Sequence, residues 1–187
     1  WREDITHFRV LDSDEIPKPW VFGWEFESPI IEMPYYMPWL ITRTRELGGI
    51  VENGEIGDLS EIKAELVVNC SGIGARELCD DSELHPVRGQ VIYIEQDPGY
   101  GRFDQQPETL TYTIARRDCT VLGGTAQVDD WNLEIREADR EEILTKCEAV
   151  WPELDRSKIV AEAVGLRPSR SEVRLESEIL DNGIPVI

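Results

Sequence analysis

"KIVAEAVGLRPSRSEVRL", residues 158–175, is the stretch around which the rest of the sequence can be organised. Ile159 to Leu166 is small, branched and apolar, and reads as a strand. The strand delivers Arg167, and Pro168 follows at once. An arginine leaving an apolar strand is poorly placed for simple solubility. It is suited either to a structural ion pair or to a bidentate clamp on a carboxylate, whose two oxygens match the planar guanidinium fork. "SEVRLES", residues 171–177, is expected to form a further strand.

The surrounding chain makes this cation conspicuous. Among 187 residues there are 38 acidic and 19 basic side chains, a formal net charge of -19. Such a field repels nucleic acid and anionic membranes. Most of the acids are read as ordinary solvated surface, so a positive group at a strand end is expected to meet a specific anion. Hydrophobic residues make up 41%, enough for a sizeable core. Cys70, Cys79, Cys119 and Cys147 form no CxxC pair and lack zinc-site spacing. They are read as buried thiols of a reducing compartment. The two histidines, His7 and His85, are far apart, which argues against a triad or a histidine-rich metal site, and no metal is expected. No run approaches the ~20 apolar residues of a membrane-spanning helix. The chain opens on Trp1 and closes on Ile184-Pro185-Val186-Ile187, and both ends look cut, as in a piece of a longer protein.

Working outward, "PVRGQVIYIEQ" reads as a strand, and "LTYTI" and "CTVLGGT" as an antiparallel pair around Ala115–Asp118. His7–Leu11 and Val21–Phe26 alternate as strands. In "MPYYMPWLITRTRELGG", Tyr36, Leu40 and Leu47 fall near one helical face. Gly48-Gly49 supplies a stop, and Pro38 is tolerable only in a first turn. Ile50-Val51 is expected to resume a strand. Leu66-Val67-Val68 is expected as a buried strand, followed by a turn at Gly72 and Gly74 and a short helix. Residues 97–109 read as a long polar loop. Residues 138–151 are the clearest helix, with Ile143, Leu144, Cys147, Val150 and Trp151 on one face and Asp139 with Glu142 as its N-terminal cap. Strands outnumber helices, so the expected class is α+β around a large, mostly antiparallel sheet.

Three places could carry chemistry. Gly72-Ile73-Gly74 follows a strand and opens a helix, as a dinucleotide-binding turn does, but Glu77 stands where the third glycine belongs. It reads as a plain strand-to-helix turn, or as one whose backbone N–H groups lie against a cofactor. Arg167 is the second. Tyr112, on "LTYTI", is the third: it is either sheet packing or a hydroxyl donor to the same anion.

"VVNCSGIGARELC", "PVRGQV", "LTYTI", "TVLGGTAQVDDWN" and "VGLRPSRSEVRLE", in this order and spacing, resemble the D-amino-acid oxidase and D-aspartate oxidase family. The resemblance runs over essentially the whole chain. It implies an FAD-dependent flavoprotein with a large substrate-domain sheet and, in this chain, a partial flavin-binding α/β domain. The implied division is substrate-domain strands in 1–34, partial FAD-binding domain in 35–82, substrate domain in 83–165 and a return toward the FAD-binding domain in 166–187. The family's amino-terminal GxGxxG and the glycine-rich segment after "IPVI" are missing, so the full-length protein is expected to bind FAD and this chain alone weakly or not at all.

The resemblance also assigns roles. It gives Arg167 the amino-acid carboxylate and Tyr112 a hydrogen bond to the same group. It places Asn69, Cys70, Ser71 and Gly72 beside the flavin, Ile56 against the adenine and Arg88 in support. The implied reaction is oxidative deamination of a D-amino acid to a 2-oxo acid, ammonia and hydrogen peroxide, with the hydride passing to the cofactor. The partners are a small D-amino acid and O2, with no nucleic acid and no membrane, and a homodimer is one possible arrangement. The expected location is cytoplasmic, or peroxisomal in a eukaryote. "VVNCSG", "PVRGQV" and "DWNL" look most like D-aspartate oxidases, but Ala126 stands where those carry an arginine. Asp104 to Glu108 contain no base, and Arg102 is the one cation nearby. Neutral D-amino acids are therefore the expected substrates. D-aspartate, with Arg102 folded in, and glycine or sarcosine are the alternatives, and a non-catalytic, cofactor-free module is the reading of another class.

Overall fold

The computed structural model describes residues 2–104, 106 and 109–187. Its centre is a six-stranded antiparallel sheet made of β3 (His85–Ile94), β4 (Arg102–Asp104), β5 (Thr111–Ala115), β6 (Thr120–Gly123), β7 (Gln127–Val128) and β8 (Ile159–Ser169). Before it come β1 (Arg9–Val10) and β2 (Trp24–Glu25), a two-stranded antiparallel pair shorter than the alternation of His7–Leu11 and Val21–Phe26 predicts. β3 and β8 form the spine, paired from His85↔Ser169 to Ile94↔Ile159, with a slip between Tyr93 and Ile94 that leaves Val160 extra. On its other edge β3 pairs first with β7 and then with β6, and β5 and β4 complete that side. The large antiparallel sheet of the expected α+β class is therefore present.

Because side chains alternate across a strand, the register sorts this sheet into two faces. Arg88, Gln90, Ile92 and Ile94 share one face with Leu122 and Thr113. Helix α3 (Glu137–Val150) covers that face. Its side chains Ile143, Leu144, Cys147 and Val150, with Trp151, Leu154, Ile92, Ile94 and Leu122, make the main core. The helical stripe legible in the sequence is the stripe that is buried. The cap is not as expected: Arg136 takes the N-cap position without a side-chain cap, and Asp139 is drawn inward to Arg88 at 2.6 Å. A buried guanidinium needs a carboxylate more than a helix end needs a cap, since solvent can serve the latter.

A second, smaller cluster joins Leu59, Val67 and Val186 with Ile62, Leu78, Cys79, Leu180 and Ile184. Here Val67 bridges Val186 in parallel, and Val67, Asn69 and Ile187 extend the ladder through backbone bonds of 2.8–2.9 Å. Only Val67 of the expected 66–68 strand is buried. β9 (Glu178–Ile179) and β10 (Pro185–Val186) form a hairpin at this cluster, closed by Gly183 at φ +84°. The strand predicted in "SEVRLES" lies instead at β9, because Arg174 of that stretch and Arg170 just before it turn to Asp81. No strand forms at Ile50-Val51.

Helix α1 (Met33–Glu46) ends as the Gly48-Gly49 stop predicts, with Gly48 at φ +87°. Pro38 lies inside it rather than in the first turn, where one missing N–H is tolerated. None of its residues is buried, and Tyr36, Leu40 and Leu47 all remain exposed. A short helix α2 (Ala75–Leu78) follows a 3-10 turn over Gly72–Gly74. Cys147 is buried, but Cys70 is exposed and Cys79 and Cys119 are partly so, which corrects the expectation of four buried thiols. No helix among the described residues is long and apolar enough to cross a membrane.

Candidate functional site

The second face of the sheet is open. It carries Gly89, Val91 and Tyr93 from β3 and Ala163, Gly165 and Arg167 from β8, which line a groove of about 290 Å³. Tyr112 pairs with Gly123, and Val121 pairs with Tyr93, so the Tyr112 ring lies on this same face. The sheet register sets Arg167 and Tyr112 on this one face.

The local geometry explains their arrangement. Arg167 pairs with Val87, and its side chain runs over Gly89. Its Nη1 donates to the Thr125 carbonyl at 3.1 Å. No carboxylate among the described residues lies within 4.0 Å of this exposed guanidinium. The structural ion-pair reading therefore finds no partner there. Thr125 is itself buried and accepts the Gln90 N–H at its Oγ1, 2.9 Å away. Burial raises the Tyr112 phenol above its ordinary pKa, and the Arg167 charge and hydrogen bond pull only part of the way back. The hydroxyl is thus a neutral donor beside a permanent cation, and two such groups can hold one anion.

Arg88 is placed elsewhere. It stands on the helix-covered face, wholly buried, and all of its N–H groups are engaged. Nε donates to the Asn132 carbonyl, Nη1 to Gln127 and Asp139, and Nη2 to Gln90 and the Glu134 carbonyl. This places Arg88 away from the open face, with every guanidinium donor engaged within the protein. Asn69, Cys70, Ser71 and Gly72 do fall together, on the exposed loop that leaves the parallel ladder. Asn69 shapes the loop, accepting from the Ser71 N–H at 3.1 Å and donating to Cys79 Sγ at 3.0 Å. Gly72 has φ +61°, and a Cβ there would meet nothing within 4 Å, so the backbone is open to a ligand. The turn Gly72–Gly74 packs against β8, which makes this loop a neighbour of the strand carrying Arg167. Ile56 is exposed in an irregular stretch and joins neither group.

The loop expected to govern side-chain preference also differs from the sequence reading. β4 occupies part of it, and Gln105, Pro107 and Glu108 lie outside the described residues. Asp104 shares a face with Thr111, away from Tyr112, and accepts from Trp20 Nε1 at 2.8 Å and Thr109 Oγ1 at 2.6 Å. Arg102 shares a face with Thr113, also away from Tyr112, and stacks 4.1 Å from the Tyr100 ring centre. Phe103 is the β4 side chain on the Tyr112 face. Sequence reasoning passed over Phe103, Thr125, Gly123 and the role of Gly89. Glycines inside strands were the available signal, since they mark close approach.

The chain matches the model of the FAD dependent oxidoreductase family over residues 1–184. It is 41% identical to a D-amino-acid oxidase of Rubrobacter xylanophilus, covering 100% of this chain and 59% of that protein. It is 35% identical to a D-amino-acid oxidase of Dictyostelium discoideum, covering 100% and 55%. It is 40% identical to the human D-aspartate oxidase, covering 96% and 54%. The chain thus spans little more than half the length of these relatives. Among solved structures it is similar in fold to glycine oxidase from Geobacillus kaustophilus, with TM-score 0.55 at 18% identity over 67% of this chain and 36% of that one. An open sheet face with a paired arginine and tyrosine, the 1–184 match and these relatives agree: the chain belongs to the FAD dependent oxidoreductase (DAO) family.

Proposed function

We propose that the protein to which this chain belongs oxidatively deaminates neutral D-amino acids, and that Arg167 and Tyr112 hold the substrate carboxylate. The observation that carries this reading is the Arg167 guanidinium, exposed on the open face, without a carboxylate partner among the described residues and beside the Tyr112 hydroxyl. A carboxylate there would receive charge-assisted bonds of roughly 1.5–3 kcal/mol each.

The residues present fit the family's cofactor. The open, glycine-containing loop Asn69–Gly72 stands next to β8, and its backbone could lie against a flat ligand. Asn69, Cys70, Ser71 and Gly72 would hold FAD, which supplies a two-electron acceptor for the Cα–H bond of the amino acid, with O2 as final acceptor. The chain's own part is binding and orientation. Anchoring the carboxylate at two points restricts rotation of the amino acid and presents Cα in one direction. The resulting imine hydrolyses in water to the 2-oxo acid and ammonia, and O2 leaves as hydrogen peroxide.

The preference for neutral side chains is supported by Phe103 on the Tyr112 face, by the apolar Val91 and Ala163 of the groove, and by Arg102 lying on the other face. A side-chain carboxylate without a cation is costly to desolvate. Initial rates of the full-length enzyme on D-alanine, D-valine, D-lysine and D-aspartate test this: the neutral pair should show the highest kcat/KM, and D-aspartate in first place would refute it. Arg167→Leu tests the carboxylate role. It should lower kcat/KM by at least about two powers of ten, and unchanged kinetics would remove Arg167 from the site.

A further inference from the structure

We propose that Gly89 and Gly123 are positioning residues: two seats in the sheet that set where the Arg167 guanidinium and the Tyr112 ring lie, and hence whether both reach one carboxylate. This rests on the carboxylate reading above. Neither glycine is at positive φ. Interior strand positions ordinarily favour a side chain over glycine. Space explains both. A Cβ built on Gly89 would stand 2.6 Å from Arg167 Cζ, and one on Gly123 would stand 2.0 Å from Tyr112 Cζ. A Cβ on neighbouring Gly124 would stand 2.8 Å from the Tyr112 hydroxyl.

The two seats act across different strand pairs. Gly89 lies two residues beyond Val87, the β8-facing partner of Arg167, so the arginine side chain reclines diagonally over the gap. Gly123 is the direct cross-strand partner of Tyr112, so the ring lies flat over β6. Thr125, two residues past Gly123, holds Arg167 from the side through its carbonyl. Gly165 is a contrast: it faces Gly89 across the ladder, but a Cβ there meets nothing within 4 Å. Only the glycines lying under the two polar side chains are filled by them.

The obstructed atoms at Gly89 are the far end of a flexible side chain. Alanine there should therefore displace the guanidinium rather than unfold the sheet. A shift near 1 Å at a positioning group can cost about a hundredfold.

The test is a double-mutant cycle in the full-length enzyme, reading the inhibition constant of propionate and KM for D-alanine, with thermal unfolding of each variant alongside. Gly89→Ala should weaken propionate and raise KM tenfold or more while Arg167 is present. In an Arg167→Ala background the same change should have less than a twofold effect, because no guanidinium remains to displace. Equal weakening in both backgrounds, or no weakening in the first, overturns the seat while the carboxylate reading stands. Arg167→Ala alone leaving propionate binding unchanged overturns the carboxylate reading itself. Should Gly89→Ala fail to fold, Gly123→Ala against Tyr112→Ala runs the same cycle from the other seat, with the same two outcomes.

Discussion

Two arginines from the same strand pair have opposite fates. Arg88 of β3 and Arg167 of β8 lie one ladder step apart, since Arg167 pairs with Val87, but they project to opposite faces of the sheet. Arg88 is wholly buried under α3 and spends every donor inside the protein, including one on Asp139 at 2.6 Å. Arg167 is exposed on the open face, with one backbone carbonyl and a tyrosine hydroxyl beside it. A strand's period of two separates a structural cation from one free to meet a ligand. Identity and sequence neighbourhood do not: both arginines follow an apolar residue, Val87 and Leu166, in apolar strands.

The comparison breaks if the stability and activity effects of the two do not separate. The largest stability effect is expected for Asp139→Ala. It strands the Arg88 charge, and breaking a buried pair costs about 3–5 kcal/mol. Urea unfolding should show this loss, and a loss below 1 kcal/mol would mean that Arg88 is held by its carbonyl acceptors alone. Arg167→Leu should do the reverse, changing unfolding free energy by less than about 1 kcal/mol while lowering kcat/KM as described above.

Tyr112→Phe sharpens the picture on the open face. It removes one neutral donor, worth about 0.5–1.5 kcal/mol, so kcat/KM should fall roughly tenfold or less, well short of Arg167→Leu. The same variant has a pH signature. The folded phenol is raised above its unfolded value of about 10, so the folded state keeps the proton longer. Protein stability should therefore fall as pH rises above about 10, and Tyr112→Phe should remove that part of the fall. Chemical unfolding between pH 9 and 11 measures it.

The smallest effect belongs to the covered face. Burial pushes the Cys147 thiol up to about 12, and it faces the carbonyls of Tyr112 and Gly123. Alkylation of the native protein at pH 8 should label exposed Cys70 and spare Cys147 until denaturant is added. Rapid native labelling of Cys147 would mean that α3 opens readily from the sheet.

The sequence by itself determined the main strands, helix α3 and the two polar side chains of the open face. Periodicity carries this information wherever one side of an element is buried. The stripe from Ile143 to Trp151 and the run ending at Arg167 are local patterns, legible without knowing what lies opposite. Local patterns failed where a tertiary partner outweighed a local preference. Asp139 looked like a helix cap and is the counter-ion of Arg88, because an unpaired buried charge is far more costly than an uncapped helix end. Which face of the sheet Arg88 takes is not legible locally, and only the register turns it toward α3. Whether Arg102 folds toward the site was open in the sequence, and its pairing with Thr113 turns it to the other face. The meeting of Tyr112 with Arg167, 55 positions apart in the chain, was likewise decided by pairing. It depends on a register from β5 through β6 and β3 to β8, in which a one-residue slip would send either side chain to the opposite face.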